Sequence, residues 1–287
     1  MFPAHWHSLL IIAAVALAGC NQPDFPKYNK LGDLRILTVV ASAPETNPGK
    51  TVTFTPVLSD LGGNGREINY SVKACIDPGV GIGAEPACDN PDPTSLQTGT
   101  VTIPAGASMT YAGPVASFSL TMPDAETLFA NRSDADLFNG VAYLVFYSVS
   151  TADGSFVNSF VRVFISSDSK TQKNKNPILS SLDLNDVPVS GVIPIPTSPV
   201  NFRMTFPESS AETYQVLHND GSYTTRTEEL ITTWFISDGS FDFSRTIVDS
   251  ENSWTPPDSR PADRGMVIIA VTRDGRGGTG FLRIELN

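Results

Sequence analysis

The stretch 141–166, VAYLVFYSVSTADGSFVNSFVRVFIS, decides the fold. Two runs rich in Val, Phe and Tyr, 141–150 and 155–166, flank Asp153-Gly154. β-Branched and aromatic residues suit a pleated, half-buried surface, and Asp-Gly adopts the positive φ angles of a tight hairpin turn. The stretch therefore predicts two strong strands joined as a hairpin.

The same texture extends in both directions. Upstream, 34–41, 51–58, 68–76, 99–103 and 116–122 read as strands. In 51–58 the apolar residues Val52, Phe54 and Leu58 fall on alternate positions, and Pro56 points to a sheet edge or a bulge. The one helix-tolerant piece is 124–139, acidic at its start and ending at Asn139-Gly140. Downstream, 167–177 is polar, with Lys170, Lys173 and Lys175 and no apolar residue before Pro177, and reads as a domain boundary. A second β pattern follows at 178–184, 200–206, 214–218, 230–236, 241–248, 266–272 and 280–286, with turns at Asp220-Gly221, Asp238-Gly239 and Asp274-Gly275. Short strands at regular intervals, without a long amphipathic helix, predict an all-β chain of two Ig-like β-sandwich domains in tandem. The expected divisions are a first domain at 34–168, a linker at 169–177 and a second domain at 178–287.

At the N-terminus an apolar run, 9–18, precedes Gly19-Cys20. About ten residues make roughly 15 Å of helix, half the ~30 Å hydrocarbon core of a bilayer, which fits a signal-peptide core and not a membrane span. Leu17-Ala18-Gly19-Cys20 resembles the lipobox of bacterial lipoproteins. That resemblance implies a signal peptide at 1–19, cleaved so that Cys20 becomes a diacylated first residue. The tether 20–33, broken by Pro23 and Pro26, would then lift the domains off a membrane. Two or three acyl chains anchor durably, whereas one holds only marginally. Asn21 stands where Asp would imply inner-membrane retention, so the resemblance implies the outer membrane, with the periplasmic and the outward face both open.

Two further resemblances concern the domains. The segments 234–241, 253–257 and 265–279 look like the second half of a bacterial Ig-like domain of the PKD-like kind, with a strand tryptophan, a Trp-Thr-Pro segment and a final Asp-Gly-x-Gly-Gly turn. The segments 34–41, Pro44-Glu45, Pro48-Gly49, 51–54 and Ala74-Cys75 are more loosely similar to the opening Ig-like domain of exported bacterial lipoproteins. Both imply architecture and carry no catalytic or binding residues, because such folds host many functions.

Charge and cysteines narrow the partners. With 19 Lys+Arg against 30 Asp+Glu the chain carries −11, and the first nineteen residues contribute no Lys, Arg, Asp or Glu. Such a surface repels phosphate backbones and argues against nucleic acid. Once Cys20 is assigned to lipid, Cys75 and Cys88 remain as a pair that oxidising surroundings would join. Their disulfide would close a Gly/Pro-rich loop at a gain of about 3 kcal/mol.

The expected chemistry is sparse. His5 and His7 leave with the signal, so a nucleophilic triad or dyad would have to use His218, which sits beside the turn Asn219-Asp220-Gly221. No catalytic residue is assigned, no multi-histidine zinc site can form, and the protein is not read as an enzyme. Calcium is the one ion with candidates, the turn carboxylates Asp89, Asp92, Asp134 and Asp136, which lack EF-hand spacing; no other cofactor is expected. Trp234 reads as a core tryptophan, while Trp254, beside Pro256-Pro257, reads as core packing or as a sugar-stacking face. The functional expectation is a lipid-anchored envelope protein that binds, adheres or spaces, with an unknown protein or glycan ligand. The alternative is a carbohydrate-binding or carbohydrate-active protein using Trp254 and turn carboxylates.

Overall fold

A computed structural model describes residues 28–63, 65–79, 85–104, 111–261 and 265–287. The signal peptide 1–19, Cys20 and the tether as far as residue 27 lie outside the described residues. The chain is all-β, and among the described residues its α-helices are two short ones, Ala125–Phe129 and Asp134–Asn139, in the predicted helix-tolerant piece.

The deciding stretch forms the strands Val141–Ser150 and Phe156–Ile165, antiparallel from Val141↔Ile165 to Ser150↔Phe156. They are the centre of a five-stranded sheet in the order Glu45–Thr46, Phe156–Ile165, Val141–Ser150, Glu67–Ile76, Gln97–Thr102. Facing it is a four-stranded sheet in which Thr51–Asp60 pairs with Arg35–Ala41 on one side. On its other side Thr51–Asp60 pairs with both Tyr111–Pro114 and Phe118–Thr121. Between the sheets lies a core that includes Phe54, Leu58, Tyr143, Val145 and Tyr147, with Phe118 stacked on Phe54 and Tyr147 at 5.1 and 5.5 Å.

Of the two readings of Pro56, the edge fails, while the neighbouring strand does break register beside it, between Ile36 and Thr38. Pro56 lies in the central strand of the four-stranded sheet, opposite the gap between the two short partner strands, where its carbonyl accepts from Val115 N–H at 2.9 Å. A proline in mid-sheet is tolerated where the ladder on that side is already interrupted.

The second sandwich repeats this plan. One sheet has the order Val187–Val189, Ser181–Leu184, Val200–Thr205, Glu251–Thr255, Ser240–Phe241. The other has the order Gly191–Ile193, Thr279–Leu286, Met266–Arg273, Ile231–Ile236, Arg245–Ile247. In both sandwiches the chain leaves its first strand, crosses to the other sheet and pairs in parallel with the last strand: Glu45–Thr46 with Phe156–Ile165, and Gly191–Ile193 with Thr279–Leu286. This is immunoglobulin-like connectivity. Trp234, Trp254, Phe202, Ile268 and Leu286 fill the second core.

The sandwiches are not beads on a string. A third apolar cluster joins Leu37, Val57 and Ala112, from the outer face of the first sandwich's four-stranded sheet, to Phe235, Val267, Ile269 and Val271 of the second. Each Val, Leu, Ile or Phe among them contributes about 1.5–3 kcal/mol on burial. In Met266–Arg273, residues 266, 268 and 270 enter the second sandwich's own core while 267, 269 and 271 meet the first sandwich. A strand buried on both faces needs a continuous apolar run, and Met266 to Val271 supplies one.

Two segments read as exposed connectors are built into this junction. In the tether 20–33, Leu31 is buried, its N–H donating to the Ile236 carbonyl at 2.9 Å, and Ile236 N–H donates to Asn29 at 3.0 Å. In the linker 169–177, Lys170 and Asn174 are buried. Lys170 Nζ lies 2.7 Å from Glu45 Oε1, and Asn174 N–H donates to Glu45 Oε2 at 2.9 Å. From the second sandwich Arg276 reaches Glu45 at 3.4 Å and Glu228 at 2.7 Å, over the Tyr214 ring at 3.8 Å. The linker looks solvated because it is polar, yet its charged and amide groups are satisfied between the sandwiches. Only such pairing makes their burial affordable. A hairpin, Thr213–Leu217 with Tyr223–Thr227, adds a clamp: Asn139, at the end of the second helix, exchanges two hydrogen bonds with the Leu217 backbone at 2.8 and 3.0 Å.

Candidate binding face

Each sandwich has a five-stranded sheet that includes its last strand, and only in the second sandwich is the middle of that sheet's outer face covered. In the second sandwich that face carries Phe235, Val267, Ile269, Val271 and Phe281 against the first sandwich. In the first sandwich the matching face carries Asn69, Ser71, Thr98, Thr100, Ser148 and Ser150, which line a shallow trough of about 450 Å³ with Phe156 at its rim. The strand period places them there, because alternate residues of the same strands (Ile68, Tyr70, Val72 and Val145, Tyr147, Val149) point into the core. The pairs Asn69↔Ser150 and Ser71↔Ser148 set the polar groups side by side across the two central strands.

Aromatic groups edge this polar floor. Phe156 is 62% and Phe160 40% exposed. Phe160 packs on Phe146 at 6.0 Å, Lys73 lies over Phe146 at 5.3 Å, and Arg162 lies over Phe160 at 5.2 Å while pairing with Asp77 at 2.5 Å. Small hydroxyls and amides with aromatic faces and a few cations suit a partner that offers hydroxyls, amides and apolar patches together.

One end of the face is closed by a covalent clip. Cys75 and Cys88 are disulfide-bonded, 13 residues apart in sequence, and pack with Leu144 and Phe146 on the outer side of the sheet. Lys73 Nζ donates to the Cys88 carbonyl at 3.3 Å. The pair read from the sequence thus borders the candidate face.

Two of the four calcium candidates are engaged in local structure. Asp92 caps the short 3₁₀ turn Pro93–Ser95: its Oδ1 accepts from Thr94 N–H at 2.9 Å and Thr94 hydroxyl at 2.8 Å, and its Oδ2 accepts from Tyr143 hydroxyl at 3.2 Å. Burial, and then the Asp92 charge, push the Tyr143 hydroxyl well above its ordinary value. Asp136 completes a capping box with Ser133 at the second helix, while Asp89 and Asp134 are exposed. Among the described residues no group of three or more His, Cys, Asp or Glu side chains could hold a metal ion.

Trp254 is fully buried, edge-on to Phe202 at 6.2 Å, with its indole N–H donating to the Asp238 carbonyl at 3.3 Å. It therefore offers no face to a sugar. A Cβ at Gly239, whose φ is +74°, would lie 2.5 Å from the indole nitrogen, so the turn closes directly over the ring. Trp234 is likewise fully buried, donating to Thr246 hydroxyl at 2.9 Å. His218 stands in the exposed hairpin, its ring nitrogen 2.7 Å from Thr224 Oγ1, and the neighbouring Asp220 accepts from Ser222 N–H and hydroxyl at 2.9 and 2.6 Å. Cys20 lies outside the described residues, among which no helix is long and apolar enough to cross a membrane.

The open face itself was not singled out by sequence reasoning. Its signal was present in 141–150, where Phe146, Ser148 and Ser150 alternate with Val145, Tyr147 and Val149.

No family model matches the chain, and no curated protein matches its sequence. Among solved structures it is similar to red sea bream transglutaminase, at TM-score 0.30 and 10% identity, covering 100% of this chain and 34% of that one. The two tandem V-type regions of a v-region-containing chitin binding protein match at TM-score 0.29 and 11% identity, covering 88% of this chain and 100% of that one. Trypsin-activated α-2-macroglobulin from Escherichia coli matches at TM-score 0.28 and 12% identity, covering 91% and 18%. The chain thus spans about a third of the transglutaminase and under a fifth of the macroglobulin. At these scores none of them bears on function. Connectivity and packing define the class: an all-β protein of two immunoglobulin-like sandwiches joined face to face.

Proposed function

We propose that this protein is a lipid-anchored, non-catalytic binding module of the bacterial cell envelope, which presents the open sheet face of its first sandwich to a protein or glycan partner. The observation that carries this reading is the contrast between two equivalent faces, one apolar and covered, the other polar, aromatic-edged and uncovered. Exposed aromatic side chains on an otherwise polar surface are candidate anchors of a recognition surface. The anchoring half of the proposal rests on Leu17-Ala18-Gly19-Cys20 and Asn21, which imply an outer-membrane lipoprotein.

Each half has its own test. Intact-mass analysis of the mature protein from its native host should give an N-terminus at Cys20 carrying acyl chains; an unprocessed or unacylated cysteine defeats the anchoring half. Glycan arrays and envelope-protein pull-downs should give binding that Phe156→Ala and Phe160→Ala abolish while the thermal midpoint holds. Binding indifferent to both substitutions removes the face from the proposal.

A further inference from the structure

Arg273 and Arg276 flank the same turn of the second sandwich, and their surroundings differ. Arg276 has Glu228 at 2.7 Å, Glu45 at 3.4 Å and Glu212 at 3.9 Å. Arg273 donates from Nη2 to the Leu37 carbonyl at 3.2 Å, and among the described residues no carboxylate stands within ion-pair distance of it. Its charged neighbour is Arg245; burial, and then that like charge, hold its guanidinium below the ordinary arginine value. Arg66, Arg162, Arg203 and Arg283 each have a carboxylate within 4 Å. In a chain with 30 acids to 19 bases, a half-buried guanidinium that faces another cation and has a backbone carbonyl instead of a carboxylate as its partner is a costly arrangement.

Arg273 lines a crevice of about 250 Å³ between the sandwiches. One wall is the turn Gly275, Gly277 and Gly278; the other is the first sandwich, with Thr38, Ser159 and Phe160. The turn comes so close that a Cβ at Gly277, whose φ is +98°, would lie 2.8 Å from the Arg162 carbonyl oxygen. The crevice has room for about eight waters at ~30 Å³ each, the size of an amino acid or a small sugar acid. Arg162, also in the lining, is neutralised by Asp77, which leaves Arg273 as the cation available to a ligand.

We propose that this crevice binds a small carboxylate, with the Arg273 guanidinium as its counter-ion and the hydroxyl-bearing and apolar walls selecting its body. The planar fork of arginine matches a carboxylate with two parallel hydrogen bonds. The acidic chain does not attract anions from a distance, so selectivity must come from contact inside the crevice. The carboxylate can belong to a free small acid or to an acidic side chain of a peptide; the site adjoins the open sheet face at Phe160 and Arg162, while Arg273 lines only the crevice and Phe156 only the face.

The test uses the intact protein, labelled with ¹⁵N, and follows the amides of Gly275, Gly277, Gly278 and Thr279. Glucuronate is the free-acid probe, with glucose as its neutral control at matched ionic strength. A blocked tripeptide with a central glutamate is the peptide probe, with its glutamine counterpart as control. We expect saturable shifts of these amides with at least one acid, in the millimolar range, and none with the controls. A response to glucuronate alone assigns the site to free acids, and a response to the glutamate peptide extends it to side chains. Arg273→Gln should weaken binding by at least about tenfold. Arg273→Lys, which keeps the charge but loses the fork, should weaken it less. Absence of shifts with both acids, equal shifts with the neutral controls, or undiminished binding by Arg273→Gln overturns the proposal.

Discussion

The sheet built on Met266–Arg273 and the sheet built on Val141–Ser150 share strand order and direction, yet the first is covered over the centre of its outer face and the second is open there. The strand Met266–Arg273 is apolar on both sides, whereas its counterpart Val141–Ser150 places Val145, Tyr147 and Val149 inward and Ser148 and Ser150 outward. The difference follows from what each outer face must meet. Apolar residues leave water only if another surface covers them, and the four-stranded sheet of the first sandwich supplies that cover through Leu37, Val57 and Ala112. A face that ends in hydroxyls and amides gains nothing from such cover unless every group finds a partner. The same fold therefore serves as a docking wall in one copy and as a display surface in the other.

The contrast can be broken most severely by placing a charge on the covered face. Ile269→Asp should destabilise the protein by at least about 4 kcal/mol, because the carboxylate would be buried without a counter-ion. Ser148→Asp, on the corresponding strand of the open face, should stay within about 0.5 kcal/mol. Urea denaturation of both variants measures the difference, and equal losses would mean that the two faces are not distinct.

Next in size is the polar half of the junction. Glu45→Ala removes the acceptor shared by Lys170 and Arg276 and leaves buried cations behind, so a loss of about 3–5 kcal/mol is expected. If the sandwiches instead behaved as independent units, this variant would leave the second sandwich's unfolding unchanged. The disulfide sharpens the comparison from the open side, since it clips the long loop that borders that face. Reduction, or Cys75→Ser with Cys88→Ser, should cost about 3 kcal/mol on loop length alone. Denaturation with and without reductant gives the value.

The smallest effect is on pH dependence. Burial, partly opposed by the Glu212 backbone, raises the Glu228 carboxyl above its ordinary value of 4.5. The folded chain then holds that proton more tightly than the unfolded chain, a contribution complete below pH 4.5 and lost as pH rises through the raised value. Glu228→Gln should remove this falling limb from a plot of stability against pH in the weakly acidic range. An unchanged slope would show that the carboxyl is not perturbed by the junction.

Much of the fold was legible because β patterning is local. Strands at 141–150, 51–58, 68–76 and 266–272, the Asp-Gly turns and the Cys75–Cys88 pair all follow from residue type and spacing. The errors share one cause. Lys170, Asn174 and Leu31 read as parts of a linker and a tether from their own chemistry, while their environment is set by chain that is distant in sequence. For Trp254 the two readings were core packing and a sugar-stacking face, and Phe202 with the Gly239 turn decides for packing. The run Met266 to Val271 did contain the missing information, since an uninterrupted apolar strand has no solvent side.

The sequence by itself determined the all-β class, the division into two sandwiches, the disulfide and the acidic surface, because alternation, turn chemistry and net charge are properties of neighbouring residues. Only the tertiary structure decided that the sandwiches dock face to face, which outer face stays open, and that Arg273 is left without an acid while Arg276 has three. Those outcomes depend on which surfaces meet, and burial converts the same side chain from solvated to paired or unpaired according to a partner that can lie more than 200 residues away, as Arg276 does from Glu45.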